Sequence, residues 1–510
     1  MHTIYLDGES LTAKKLFKLG NKRYLLDIAE SAWKRIQDNH DYLMSIIHSG
    51  KKTYGINTGV GYFSDVAISE DKLKTLQKNL IKSHSVGVGP SFTIPRTKMI
   101  LALRINILCK GCSGTSPQLI RKLVEAFNKG CFSYVPEQGT VGACGDLAPL
   151  AHLFIGLMGE GLMWDDDTHA YIPALEVLAK KNYEPIQELL PKEGLTMING
   201  PQIITSLLSE GYHRGMILAE AADIIAALTV ECLRSLATPF DERIHLVRPH
   251  YGQLSVAKRI KALLLPMSEI AINTPFEKVQ DAYSLRCIPQ VHGPAWDTLK
   301  FVNTILTTEL NSATDNPLIF HESAAVISGG NFHGEYTAKM SDFLAIALHE
   351  LGSISEVRIS RLMRKDITGF EFFLVHNPGL NSGLMMAHCT AASLVSENKQ
   401  LCHPASVDTI PTSAGQEDHV SMGGWAARKL LRVIDNIQNI LAIELLSDLH
   451  ALKFLRPHKS TEALEKIIAL GEGVTELKDS DYFISPDIQA LSKLIESGAL
   501  SKAVKEYWEQ

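Results

Sequence analysis

The segment Gly139-Thr140-Val141-Gly142-Ala143-Cys144-Gly145-Asp146 brings five small residues, a thiol and an acid together just before the apolar run Leu147-Ala148-Pro149-Leu150-Ala151. Small residues let backbones approach closely, and an acid at the mouth of an apolar run is of the type that caps a helix. On residue types alone this is a tight turn into a helix, with Asp146 as cap and Cys144 as a buried thiol. Tyr54 stands among glycines in Tyr54-Gly55-Ile56-Asn57-Thr58-Gly59. A phenol there can pack in a turn or accept a proton, and the second role requires it to ionise more easily than the usual value of about 10. Arg286 offers a planar fork that suits a carboxylate, although a structural ion pair uses the same fork. His84 and Glu417 present the donors and acceptors needed to read a nitrogen-bearing ring, and Asn199, Gln280 and Tyr283 can aim hydrogen bonds without adding charge.

Other motifs lack their partners. Cys109-Lys110-Gly111-Cys112 is a lone CxxC without a second ligand pair, so neither zinc nor redox chemistry is expected from it. The glycines of 55–61 and 87–89 do not complete a phosphate-binding fingerprint, and Glu417-Asp418-His419 lacks an HExxH frame. No metal and no nucleotide is expected.

Long helices must position these groups. Leu430, Ile434, Ile437, Leu441 and Leu445 recur at three- and four-residue steps within 421–455, a run followed by Pro457; 205–237 and 335–363 are proline-free and similarly spaced. Helices of about 30 residues would be about 45 Å long, more than a small domain needs, which points to an oligomer. Loops of glycine, histidine and polar residues separate them, and chemistry usually sits on such loops. The expected fold is all-α, with an N-terminal, loop-rich part over residues 1–205 and a long-helix bundle with a C-terminal helical part over 206–510, both building the site. The 510 residues carry 50 Lys+Arg against 56 Asp+Glu, which leaves no basic surplus for nucleic acid. The longest apolar stretch, 216–230, contains Glu220 and Asp223, so no membrane span is expected. The start Met1-His2-Thr3-Ile4-Tyr5-Leu6-Asp7-Gly8 does not have the form of a secretory signal, and eight scattered cysteines do not make a disulfide framework; a cytoplasmic protein is expected.

The 139–152 segment resembles the signature of the aromatic amino acid ammonia-lyases, in which an Ala-Ser-Gly tripeptide cyclises into 4-methylideneimidazole-5-one (MIO). Further blocks similar to this family's histidine-type members are Tyr54–Gly59, Asn79–His84, Ile198–Gly200, Val279–Cys287, Asn311–Pro317, Ser328–His333, Gln416–Met422 and Phe454–Pro457. The resemblance implies an aspartase/fumarase-like helical fold, a homotetramer with shared active sites, and elimination of ammonia from L-histidine to give trans-urocanate. It also implies roles: Tyr54 removes the β-proton, Arg286 holds the substrate carboxylate, and Asn199, Gln280 and Tyr283 line the electrophile and the amino acid. Phe332 shields the electrophile, Asp146 is needed for cyclisation, and His84 with Glu417 reads the imidazole.

One departure stands at the centre: the tripeptide here is Ala143-Cys144-Gly145. In the family the glycine nitrogen attacks the alanine carbonyl, and the central side chain is then eliminated. Cysteine also carries a leaving group on Cβ and would lose hydrogen sulfide in place of water, so MIO is expected from residues 143–145, with an intact thiol as the alternative. Three other readings stand beside the histidine one. They are a tyrosine or phenylalanine lyase or aminomutase, disfavoured by Glu417; an MIO-less lyase releasing trimethylamine from a histidine betaine; and a silent helical scaffold, disfavoured by the joint presence of Tyr54, Arg286 and Glu417.

Overall fold

The computed structural model of the chain describes residues 2–49, 52–274 and 279–509. Helices dominate. The four longest, Gln202–Cys232, Ile288–Glu309, Glu335–Leu362 and Gly423–Leu452, include the three long segments expected from spacing, and the all-α expectation holds. Strands among the described residues form four two-stranded sheets. One is parallel, His2–Leu6 beside Tyr24–Ile28; three are antiparallel ribbons too short to bear a core of their own.

The Gly423–Leu452 helix shows why periodicity was legible and where it stops being informative. Leu430, Ile434, Ile437, Leu441 and Leu445 are fully buried, as expected. Gln438, which the spacing assigns to a polar face, is buried too, and its Nε2 donates to Ser492 Oγ at 2.9 Å. From residue 440 to 452 every position is buried, so this is an interior helix whose polar residues, Glu444 and Asp448 among them, must find partners inside.

Contacts divide the chain into two units: residues 1–210, 303–342 and 404–428 form the first, and 211–302, 343–403 and 429–510 the second. The first division falls beside the 205/206 boundary read from sequence. The return of 303–342 and 404–428 to the first unit is something no split into contiguous halves expresses. All the strands and all the glycine-rich segments up to residue 200 belong to the first unit. The second unit is almost wholly helical.

Candidate active site

The first unit assembles its loops at the starts of four helices. Residues 140–146 lie where Leu147–Leu157, Gln202–Cys232, Glu335–Leu362 and Gly423–Leu452 begin. Met422 N donates to Val141 O at 2.9 Å, and Gly334 N and Ser421 Oγ donate to Gly142 O at 3.4 and 3.2 Å. Helix N-termini carry partial positive charge, and four of them around one tripeptide make a site that favours negative charge.

Glycines permit this crowding. Gly145 has φ +75° and Gly200 φ +130°. A Cβ on Gly145 would run into the backbone of Gly200, and one on Gly142 into the Ser421 hydroxyl. Gly200 instead bonds to the residues on either side of Gly145: Gly200 N donates to Cys144 O at 3.1 Å and Asp146 N donates to Gly200 O at 2.9 Å. Thr140 Oγ1 holds Gly145 O at 3.2 Å. The turn is therefore pinned on both sides of Cys144.

Asp146 does not act as the sequence suggests. It sits at the N-cap position of Leu147–Leu157 without a side-chain capping bond to that helix. Its Oδ2 instead accepts from Ile203 N (2.8 Å) and Ile204 N (3.1 Å), the first turn of Gln202–Cys232, while Oδ1 accepts from Thr140 Oγ1 at 3.0 Å. The carboxylate thus caps a helix more than fifty residues away in sequence. Complete burial pushes its pKa up to about 7 against the pull of these three bonds.

A cavity of about 1040 Å³ opens over the tripeptide and is lined by Tyr54, His84, Ala143, Cys144, Asn199, Phe332 and Glu417. Seven candidate residues drawn from six separate segments of the chain thus meet in one place. Cys144 Sγ donates to Glu417 Oε1 at 3.0 Å, and Thr412 Oγ1 donates to Glu417 Oε2 at 2.7 Å. Burial would raise the Glu417 pKa, but the bonds from Cys144, Thr412 and Ser413 and the nearby His84 hold it below the usual value. Burial, then the Glu417 bond and charge, push the Cys144 thiol far up, so it stays protonated. His84, the last residue of Leu73–His84, contacts Leu80 O through Nδ1 at 2.8 Å. A carbonyl only accepts, so Nδ1 carries the proton and Nε2 is the ring's acceptor in the neutral form. Asn199 is buried, with Nδ2 donating to Asn316 O at 3.3 Å.

Tyr54 departs from expectation. Its Oη accepts from Gly61 N at 3.3 Å. Burial outweighs that one weak bond, and with Cys144 and Glu417 nearby the phenol is raised above its ordinary value rather than lowered. Gln280, Tyr283 and Arg286 belong to the second unit and do not line the cavity. They do meet one another. The Arg286 guanidinium lies 4.6 Å from the Tyr283 ring centre, and with the Gln280 carboxamide oxygen turned inward it accepts from Arg286 Nη1 at 2.8 Å. Tyr283 is exposed.

Sequence reasoning missed three groups. Gly200 was visible only as a neighbour of Asn199, although a glycine facing a second glycine-rich turn was the available signal. Thr412 signals itself only through its pairing with Glu417, a bridge in which each residue's N–H donates to the other's carbonyl. His333 and His419 line the cavity with rings stacked 6.0 Å apart, and nothing in their spacing announced it. Among the described residues no group of three or more His, Cys, Asp or Glu is placed to hold a metal ion, and no helix is long and apolar enough to cross a membrane.

A self-pinned small-residue turn at converging helix starts, roofed by a cavity that collects Tyr54, His84 and Glu417, agrees with a family comparison: the model for aromatic amino acid lyases matches residues 11–472. The chain belongs to the aromatic amino acid lyase family and is a carbon–nitrogen lyase. Within that family it is similar to histidine ammonia-lyase of Mus musculus, 52% identical over 496 residues that cover 96% of this chain and 75% of the relative. The crystal structure of histidine ammonia-lyase from Trypanosoma cruzi superposes with a TM-score of 0.93 at 47% identity, covering 99% of this chain and 96% of that one. The tyrosine aminomutase of Streptomyces globisporus shares the fold with a TM-score of 0.93 at 33% identity, covering 99% and 98%.

Proposed function

We propose that the chain is a histidine ammonia-lyase, converting L-histidine to trans-urocanate and ammonia, and that Ala143-Cys144-Gly145 closes into MIO. The observation that carries the substrate assignment is the placement of Glu417 and His84 in one cavity beside Cys144. Glu417 is held ionised by Thr412 and accepts hydrogen bonds; His84 offers a ring nitrogen. Together they complement an imidazole, whereas a phenyl ring offers neither a donor for Glu417 nor a partner for the His84 ring.

The tripeptide fits closure. A left-handed glycine, a pinned turn and small neighbours favour attack of Gly145 N on the Ala143 carbonyl, which forms one C–N bond and expels water. Loss of the Cα proton and of the protonated Sγ group from Cys144 then releases hydrogen sulfide. Once formed, the exocyclic methylene would draw electron density from the bound amino acid, whose α-amine is otherwise a poor leaving group. The helix N-termini favour the charge that moves toward them.

Tyr54 then takes the β-proton. Because its phenol sits above the ordinary value, kcat/KM should rise with pH on an alkaline limb that Tyr54→Phe removes along with most of the activity. Arg286 holds the substrate carboxylate, with Gln280 and Tyr283 beside it, in a homotetramer whose subunits share active sites. This assembly is supported by apolar side chains exposed on the single chain, among them Val279, Leu380 and Phe483. Eight cysteines scattered over 510 residues, unlike the dense framework of a secreted disulfide scaffold, support a reducing cytoplasm.

The test is a panel of L-histidine, L-tyrosine, L-phenylalanine and a trimethylated histidine betaine, followed by the ultraviolet absorption of the unsaturated acid. Turnover confined to L-histidine is expected, with Glu417→Ala lowering its kcat/KM by about 10³-fold. Faster turnover of the betaine or of an aromatic ring without nitrogen would overturn the assignment. Binding without turnover would favour a silent scaffold.

A further inference from the structure

Behind the wall that carries Asn199 lies an arginine with no exposure to solvent. Arg104, on the Ile94–Leu108 helix, is 0% exposed, and its neighbours Leu103 and Ile105 are equally buried. Placing a cation there carries a large desolvation cost, and a leucine would pack without it. The guanidinium makes two hydrogen bonds: Nη1 donates to Asn199 O at 2.6 Å and to Gln202 Oε1 at 2.8 Å. Nε and Nη2 are buried with no hydrogen-bond partner among the described residues.

Its two partners are the ends of the four-residue segment Asn199-Gly200-Pro201-Gln202. Between them sits Gly200, whose N–H and C=O bind Cys144 O and Asp146 N. On its far side the segment is tied to 314–316, where Gln202 Nε2 donates to Thr314 Oγ1 at 2.8 Å and Asn199 Nδ2 to Asn316 O at 3.3 Å. The carboxylate of that stretch, Asp315, is already paired with buried Lys192 at 2.6 Å. Two buried cations, Arg104 and Lys192, therefore share the Asp315 carboxylate.

We propose that Arg104 is a positioning residue for the tripeptide: it staples both ends of 199–202 so that Gly200 holds Cys144 and Asp146 in the geometry for closure, and its charge favours electron density moving onto the closed ring. This rests on the reading that residues 143–145 close. Burial lowers the Arg104 pKa to about 10, so the group remains a cation at neutral pH.

The test compares the full-length wild type with Arg104→Lys, Arg104→Met and Gln202→Met. The readouts are intact mass for the closed fraction, kcat and KM for L-histidine, and thermal unfolding. Wild type should be closed. Arg104→Met should lower the closed fraction about fivefold or more and kcat in proportion, with KM changed less than about twofold; Arg104→Lys should recover most of the closure. Should Arg104→Met not fold, Gln202→Met carries the test, because it removes one acceptor while Arg104 stays on Asn199, and partial loss of closure is expected. Folded variants that are fully closed with wild-type kcat overturn the role of Arg104 alone. So does a Lys variant no better than Met. An unclosed wild type overturns the closure reading itself, and the present proposal with it.

Discussion

Both units bury charge, but they use it differently. In the second unit the charges pair with other side chains on long helices. Arg358 and Glu444 form a bidentate pair with no solvent exposure, one arm being Nη2 to Oε2 at 2.9 Å. Thr229 Oγ1 lies 2.8 Å from Glu444 and 2.9 Å from Asp448. Burial, then the Glu444 charge, raise the Asp448 pKa well above the carboxylate range, so it is neutral and two anions do not face each other. Asp223 likewise gathers His292 Nδ1 (2.8 Å) and Trp296 Nε1 (3.0 Å). In the first unit one buried pair, Lys192 with Asp315, is also of this kind, but the buried charges beside the tripeptide grip backbone. Asp146 holds two amides of a helix start and Arg104 holds a carbonyl. Side-chain pairs fix helices against helices. Bonds to backbone fix the shape of a loop, and a reacting turn needs the second kind.

The contrast is sharpened by substitutions that separate activity from stability. Asp146→Ala strips the caps from Ile203 and Ile204, and it should leave the tripeptide unclosed and lower kcat by about 10³-fold or more, measured by urocanate formation on protein shown to be folded. A variant with normal closure would place the control of the turn elsewhere. Arg358→Met should do the opposite: removing one partner of a buried pair costs about 3–5 kcal/mol of stability, read by denaturant unfolding, while kcat per folded molecule stays within about twofold. A large fall in kcat without loss of stability would break the comparison.

A smaller effect of pH is expected in the second unit. Burial, with Lys453 nearby, lowers the His450 pKa to about 4 against the pull of Asp487 and Asp479. The unfolded chain binds this proton near 6.5 and the folded chain only near the lower value. The stabilisation is therefore fully present above about pH 6.5 and is lost as pH falls toward 4, by on the order of 3 kcal/mol. Acid titration of unfolding in wild type and His450→Gln measures it, and identical profiles would refute it.

The long helices were legible because one periodicity runs through each of them for some thirty residues. The face of Gln438 was not, because an interior helix has no solvent side and spacing alone cannot say so. The positions of Cys144, Glu417, His84 and Tyr54 were readable as loop residues with chemistry. Their meeting in one cavity was not, since it depends on contacts across hundreds of residues. Asp146 shows the same limit most plainly. Its type announces a cap, and local sequence assigns that cap to the next helix. The helix it serves begins at Gln202, brought there by two glycines that only tertiary packing sets against each other. Tyr54 was expected to ionise easily because a base must, yet burial with a single weak donor sets its pKa the other way.

The most direct test is the mass of the proteolytic peptide that spans residues 143–145 of the wild-type protein. A peptide lighter by one water and one hydrogen sulfide is the result expected if the pinned turn closes with a cysteine at its centre. A peptide of the full Ala143-Cys144-Gly145 mass, bearing a thiol that alkylates, would contradict it.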